Sequence, residues 1–117
     1  MGLALMQNAA RKSIMATAAY DAVLTPTLAA PPAPIGSLRD DDDPARDFEN
    51  QKRFTPYTAA YNVTGQPAIS LPLHWTEEGL PIGVMLVGRP AGEAALLSLA
   101  SQIEGAAPWS HRHPAQW

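Results

Sequence analysis

Cysteine is absent from this chain, which removes a disulfide framework and thiolate metal sites together and fits a reducing compartment. Charge is sparse as well. Asp, Glu, Lys and Arg make up 16% of the 117 residues, against about a quarter in an ordinary soluble domain. Set beside a hydrophobic content of 46%, that deficit implies that some of the surface is meant to be covered. Lys and Arg number eight and the formal net charge is −3. No basic stripe exists to neutralise phosphates, so nucleic acid is not expected as a partner.

Long apolar runs are missing too. Residues 14–20 and 80–88 fall far short of the roughly 20 residues needed to span a bilayer. Leu3, Leu5 and Met6 ahead of small residues imitate a secretory leader, but Arg11 and Lys12 interrupt the apolar region instead of preceding it. Met1 and Gly2 would suit myristoylation, yet Met6 stands where that signal needs Ser or Thr. The expectation is a soluble cytoplasmic chain with no membrane association. Its length suits one modest domain or one piece of a larger one.

Catalytic constellations are the next absence. A hydrolase needs an activated nucleophile with a base within hydrogen-bond reach. The serines are Ser13, Ser37, Ser70, Ser98, Ser101 and Ser110, and none lies in a Gly-x-Ser-x-Gly elbow or a Ser-x-x-Lys pair. Ser70, between Ile69 and Leu71, is expected to be an inward hydroxyl bonded to neighbouring backbone. Lys12 and Lys52 are the only lysines, and both have polar surroundings. His111 and His113 would share a face of an extended tail that ends in Trp117, but a zinc site needs further ligands. Asp40 to Asp43 lack the Gly and Glu of a calcium loop. Asn62-Val63-Thr64 matches a glycosylation sequon, but it suits backbone hydrogen bonding where a helix gives way to a strand. No catalytic residue, metal site or cofactor is therefore expected within this chain.

What is present reads as an α/β pattern. Leu3, Met6, Ala10 and Ile14 recur at helical spacing and predict a helix over residues 1–19. A short strand follows at 22–25. Pro26, Pro31, Pro32 and Pro34 then make an extended connection. The four aspartates and Pro44 predict a solvated acidic loop over 39–47. Thr55-Pro56 reads as a cap and first position of a short helix that runs to about residue 63 and is closed by Gly65. Strands are predicted at 68–75 and 80–87, joined by a turn at 76–79 into a hairpin over 68–87. The second is apolar at nearly every position, as in a strand buried on both faces. A last helix over 93–104 would bury Leu96, Leu97, Ala100 and Ile103, with Gly105 as its cap and Pro108 beyond.

Several stretches, taken in order, resemble the C-terminal third of amidase-signature hydrolases. They are Tyr20-Asp21-Ala22-Val23-Leu24-Thr25-Pro26-Thr27, Ala33-Pro34-Ile35-Gly36, and the run Thr58-Ala59-Ala60-Tyr61-Asn62-Val63-Thr64-Gly65-Gln66-Pro67-Ala68-Ile69-Ser70-Leu71-Pro72. Gly79-Leu80-Pro81-Ile82-Gly83-Val84, the helix with Glu93, Leu96 and Leu97, and the ending with Pro108, Trp109, Arg112 and Pro114 complete the series. The resemblance implies a partial amidase-signature fold, with a mixed β-sheet of about three strands here, flanked by helices. It implies hydrolysis of carboxamides by a Ser-cisSer-Lys centre that lies upstream of the matching part, so no catalytic residue transfers to this sequence. Residues 1–117 would supply sheet and one wall of the substrate pocket, at Thr25, Pro26, Thr27 and Asn62. Met85 stands where the family commonly has glutamine, and a thioether cannot replace an amide donor. The expected partner is the upstream catalytic portion, with a homo-oligomer as a further expectation. A non-catalytic module that self-associates through uncovered strands is the alternative reading.

Overall fold

The computed structural model describes residues 2–114; Met1 and the tail from Ala115 to Trp117 lie outside the described residues. Its elements follow the order α1 (Gly2–Thr17), β1 (Ala22–Pro26), α2 (Pro44–Phe54), α3 (Thr58–Thr64), β2 (Ala68–Trp75), β3 (Pro81–Gly88) and α4 (Glu93–Ala106). The three strands form one sheet in the order β1-β3-β2, and both pairings within this chain are antiparallel. The predicted hairpin is β2–β3. Its turn is closed by Gly79 N–H donating to Thr76 O at 2.9 Å, with Gly79 at φ 82°, a conformation glycine adopts without steric cost.

The core lies between α4 and one face of the sheet. Leu71, Leu86, Leu96 and Ala100 are buried there, with Ile69, Leu73, Leu99, Ile103 and Trp109 packed around them. Residues 96, 99, 100 and 103 follow the i, i+3, i+4, i+7 spacing of one helical face. Leu97 falls outside that face and is 61% exposed, contrary to the expected stripe. Gly105 is also not the cap: the helix continues to Ala106, and Ala107 N–H closes it on Ile103 O at 2.8 Å. β3 is the most buried strand at Met85, Leu86, Val87 and Gly88, but it is only half-buried from Ile82 to Val84 and exposed at Pro81. It is thus not covered on both faces along its length.

The acidic segment is shorter as a loop than expected, because a helix begins at Pro44. Asp43 caps it: one carboxylate oxygen accepts from Ala45 N–H and Arg46 N–H, both at 3.1 Å. Asp40 in turn accepts from Asp43 N–H, and Asp47 from Asp40 N–H. Asp40, Asp43 and Asp47 therefore turn carboxylate oxygens to amide groups around a helix start, where negative charge is favoured, while Asp41 pairs with Arg39. Thr55 ends this helix rather than starting the next. Its N–H and its hydroxyl both donate to Gln51 O at 2.9 Å. α3 starts at Thr58 with no side-chain cap, and Gly65 closes it in the left-handed conformation at φ 69°.

The chain is a slab, not a globule. Its Cα extents are 50 × 45 × 19 Å and its radius of gyration is 16.7 Å, whereas a closed domain of this length has about 13.4 Å. The accessible surface is 8628 Å², against about 6,200 Å² for a monomer of this mass. Helix α1 shows where part of the surplus sits. None of its residues is buried, and Leu3, Leu5, Met6 and Met15 are all at least half exposed.

Candidate functional site

The register brings Thr25, Met85 and Ser70 into one row across the three strands, because Met85 pairs with Thr25 on one side and Ser70 on the other. Partners directly opposite point to the same face, and this is the face away from the Leu71–Leu86 core. Thr27 follows one step along, its N–H donating to Gly83 O at 3.2 Å. Its hydroxyl meets the Ser70 hydroxyl at 2.7 Å across β3. Gly83 makes that approach possible. A Cβ there would lie 2.6 Å from Ser70 Oγ and 2.8 Å from Thr27 Oγ1.

Ser70 therefore departs from its expected role. It is exposed and bonded to a side chain, not buried against backbone. The pair shares one hydrogen bond, which leaves one O–H and further lone pairs facing outward. Met85, at 4% exposure, fills the row between Thr25 and Ser70 as an apolar body. Pro26 lies one position along from Thr25 and so turns to the opposite face; Thr25 Oγ1 donates to its carbonyl at 3.0 Å.

Asn62 does not join this group. It sits on α3 and lines a separate groove of about 650 Å³ against α1, with Leu3, Met6, Ile14, Met15 and Val63. The four residues expected to share a pocket wall are thus divided: Thr25 and Thr27 beside Ser70, Pro26 behind them, and Asn62 on another surface.

Sequence reasoning missed Gln66. The residue is 7% exposed, and Nε2 donates to Gly88 O at 3.0 Å, while the buried Oε1 has no partner among the described residues. The residue borders a small cavity of about 90 Å³ between α1 and the ends of β1 and β3. Such an acceptor calls for a donor from water or from a neighbouring chain segment. A glutamine between Gly65 and Pro67 gives no warning of burial, so no sequence signal would have marked it.

Among the described residues no serine hydroxyl is hydrogen-bonded to a lysine, histidine or carboxylate. Lys52 instead pairs with Glu49 at 2.7 Å on α2, and its hydrogen bond, followed by its charge, holds the Glu49 carboxyl below the usual range. Glu78 is held low by a backbone hydrogen bond in the hairpin turn and by the Thr76 hydroxyl. Both groups lie on the surface. No cluster of three His, Asp or Glu that could hold a metal occurs among the described residues. His111 lies beside Arg112, whose guanidinium stacks over Trp75 at 4.4 Å. No described helix is long and apolar enough to cross a membrane.

The comparisons with known proteins agree with the order of elements. AmiB2 of Mycobacterium tuberculosis, assigned as an amidase, is 44% identical over 95 residues, covering 81% of this chain and 20% of its own length. The 6-aminohexanoate-cyclic-dimer hydrolase of Paenarthrobacter ureafaciens is 37% identical over 103 residues, covering 83% of this chain and 21% of its own length. A solved structure of a 6-aminohexanoate cyclic dimer hydrolase superposes with a TM-score of 0.85 at 32% identity, over 94% of this chain and 24% of that one. The chain thus spans about one fifth of the length of these relatives. A family model described as Amidase matches residues 3–97, and the chain belongs to that family.

Proposed function

We propose that this chain is the C-terminal portion of a carboxamide hydrolase, and that it supplies sheet and pocket wall to a catalytic centre carried upstream. The observation that carries this reading is the shape of the chain within its family match. It covers a fifth of its relatives, it is a slab with surface to spare, and its described residues hold no paired nucleophile and base. In the complete enzyme an upstream serine would attack the amide carbonyl carbon, with a lysine moving the proton through a second serine. The C–N bond would then break, the amine would leave with that proton, and water would cleave the acyl ester to the acid. The cyclic amide named for two of the relatives falls within this class. The Thr25–Thr27 segment, with Ser70, is the part of this chain we assign to the pocket wall; Asn62 would serve only a second wall across α1 and α3. A cytoplasmic location belongs to the same reading, since a chain without cysteine draws no support from an oxidising compartment.

The test is turnover. The isolated chain should hydrolyse none of a panel of aliphatic, aromatic and cyclic amides, and supplying the upstream portion in trans should bring activity. Turnover by the chain alone that disappears in Ser70→Ala would overturn the reading, because it would make that serine a nucleophile.

A further inference from the structure

We propose that the small cavity between α1 and the ends of β1 and β3 is a site for internal water, and that a water bound there donates to the buried Oε1 of Gln66. The site belongs to this chain's own fold and does not depend on how the catalytic centre is completed.

The orientation of the Gln66 amide is fixed by its neighbour. Nε2 donates to Gly88 O at 3.0 Å. Turning the amide over would set Oε1 against that carbonyl oxygen, two acceptors without a proton between them. Gly88 is itself held in place, because its N–H donates to Pro67 O at 2.8 Å. Residues 66 and 67 thus grip both backbone groups of the last position of β3. Oε1 is left as the atom turned away from Gly88, buried and with no partner among the described residues. A buried acceptor in that state has given up the hydrogen bonds it makes in the unfolded chain. Swinging the side chain out to solvent would surrender the Gly88 bond, so the donor must come to Gln66.

The cavity has the room and the chemistry to hold that donor. Its volume is about 90 Å³, against about 10–15 Å³ for a single water. Thr17, Tyr20 and Arg89 line it together with Gln66. Thr17 Oγ1 donates to Ser13 O at 3.0 Å, which leaves its lone pairs as acceptors. Arg89 donates through Nε to Tyr20 O at 2.9 Å and through Nη2 to Asp21 at 3.1 Å, which leaves further N–H groups. A buried water makes about three hydrogen bonds, and cavities that stay dry are apolar. This one has a carboxamide oxygen in its wall.

Its place in the fold gives the water a role. α1 packs mainly against α3, and Gln66 follows α3 directly after Gly65, the residue that closes that helix. The cavity lies where the end of α1 meets β1 and β3. Water on Oε1 therefore sits in the seam between the helical pair and the sheet, and it satisfies the polar atom that the seam otherwise leaves unpaired.

The experiment is magnetic relaxation dispersion of water oxygen, which registers waters held inside a protein and not those on its surface. It uses the 117-residue chain, alone and with the upstream portion bound. Gln66→Met keeps the length of the side chain and removes the acceptor. The parent should show a long-lived water that the variant has lost, in both settings. Xenon gas supplies the converse probe, because it enters dry apolar cavities. The methyl resonances of Val23 and Val87, both on the cavity wall, should not shift under xenon in the parent. If Gln66→Met fails to fold, the xenon measurement on the parent decides. An equal number of long-lived waters in parent and variant, or xenon-induced shifts at Val23 and Val87, would overturn the proposal. Loss of the water when the upstream portion binds would hand Oε1 to a donor from that portion and also overturn it.

Discussion

Gly83→Ala tests whether close packing on the sheet face away from α4 is specified by the sequence. The added methyl would lie 2.6 Å from Ser70 Oγ, 2.8 Å from Thr27 Oγ1 and 3.2 Å from Thr27 Cβ. Two of these distances are too short for any relaxed contact, so the hydroxyls must separate and their 2.7 Å hydrogen bond must break. Overpacking of this kind costs about 1–3 kcal/mol. The lost hydrogen bond adds about 0.5 kcal/mol, the low end of the usual range because the pair is exposed. Replacing glycine returns about 0.4–1 kcal/mol by restricting the unfolded chain. The net expectation is a loss of about 1–2 kcal/mol, which corresponds to several degrees in Tm for a chain of this size. Urea unfolding followed by circular dichroism reads it directly. Ser70→Ala removes the nearest obstacle, so Gly83→Ala combined with Ser70→Ala should recover about half of the loss. Residues in contact couple in this way, whereas independent sites add within about 0.5 kcal/mol. A Gly83→Ala protein as stable as the parent, or strict additivity with Ser70→Ala, would refute the reasoning.

Two further expectations follow from the core and the acidic segment. Leu86→Ala should destabilise by about 2–5 kcal/mol, because it opens a cavity beneath α4, whereas Leu97→Ala should stay within about 0.5 kcal/mol; thermal melts of the two variants would compare them, and equal effects would contradict the observed helical face. Asp43→Ala should cost about 1 kcal/mol through loss of the α2 cap, and micromolar calcium or magnesium should leave the parent melting temperature unchanged, a multi-degree rise being the contrary result.

The sequence carried those features whose cause is local. Period-two and continuous apolar patterning located β2 and β3, and the left-handed requirement at Gly65 and Gly79 marked a helix end and a turn. The α2 helix is hidden by the run of four aspartates, which reads as a solvated loop, although Asp43 ahead of Pro44 is the same cap-and-proline pattern as Thr55-Pro56. At Thr55 the hydroxyl turns back to Gln51 O and closes a helix instead. Leu97 and Leu96 are adjacent and equally apolar, and only the angle of α4 over β2 and β3 decides which is buried. The site was least legible. Thr27 and Ser70 are 43 residues apart and meet only through the β1–β3–β2 register. Asn62 stands within the most family-like stretch yet belongs to the α1–α3 groove, because a helix and a tight glycine turn carry it away from the strand that follows.

Light scattering on a size-exclusion column, with binding of a hydrophobic dye measured on the same sample, tests the central claim most directly. That claim is that the chain exposes a surface made for the rest of a larger enzyme. It predicts a mass above the 12.5 kDa of the single chain, or strong dye binding, at high protein concentration, and loss of both when the upstream portion is bound. A sharp monomer that binds no dye would show that these residues close their own core, and it would contradict the account.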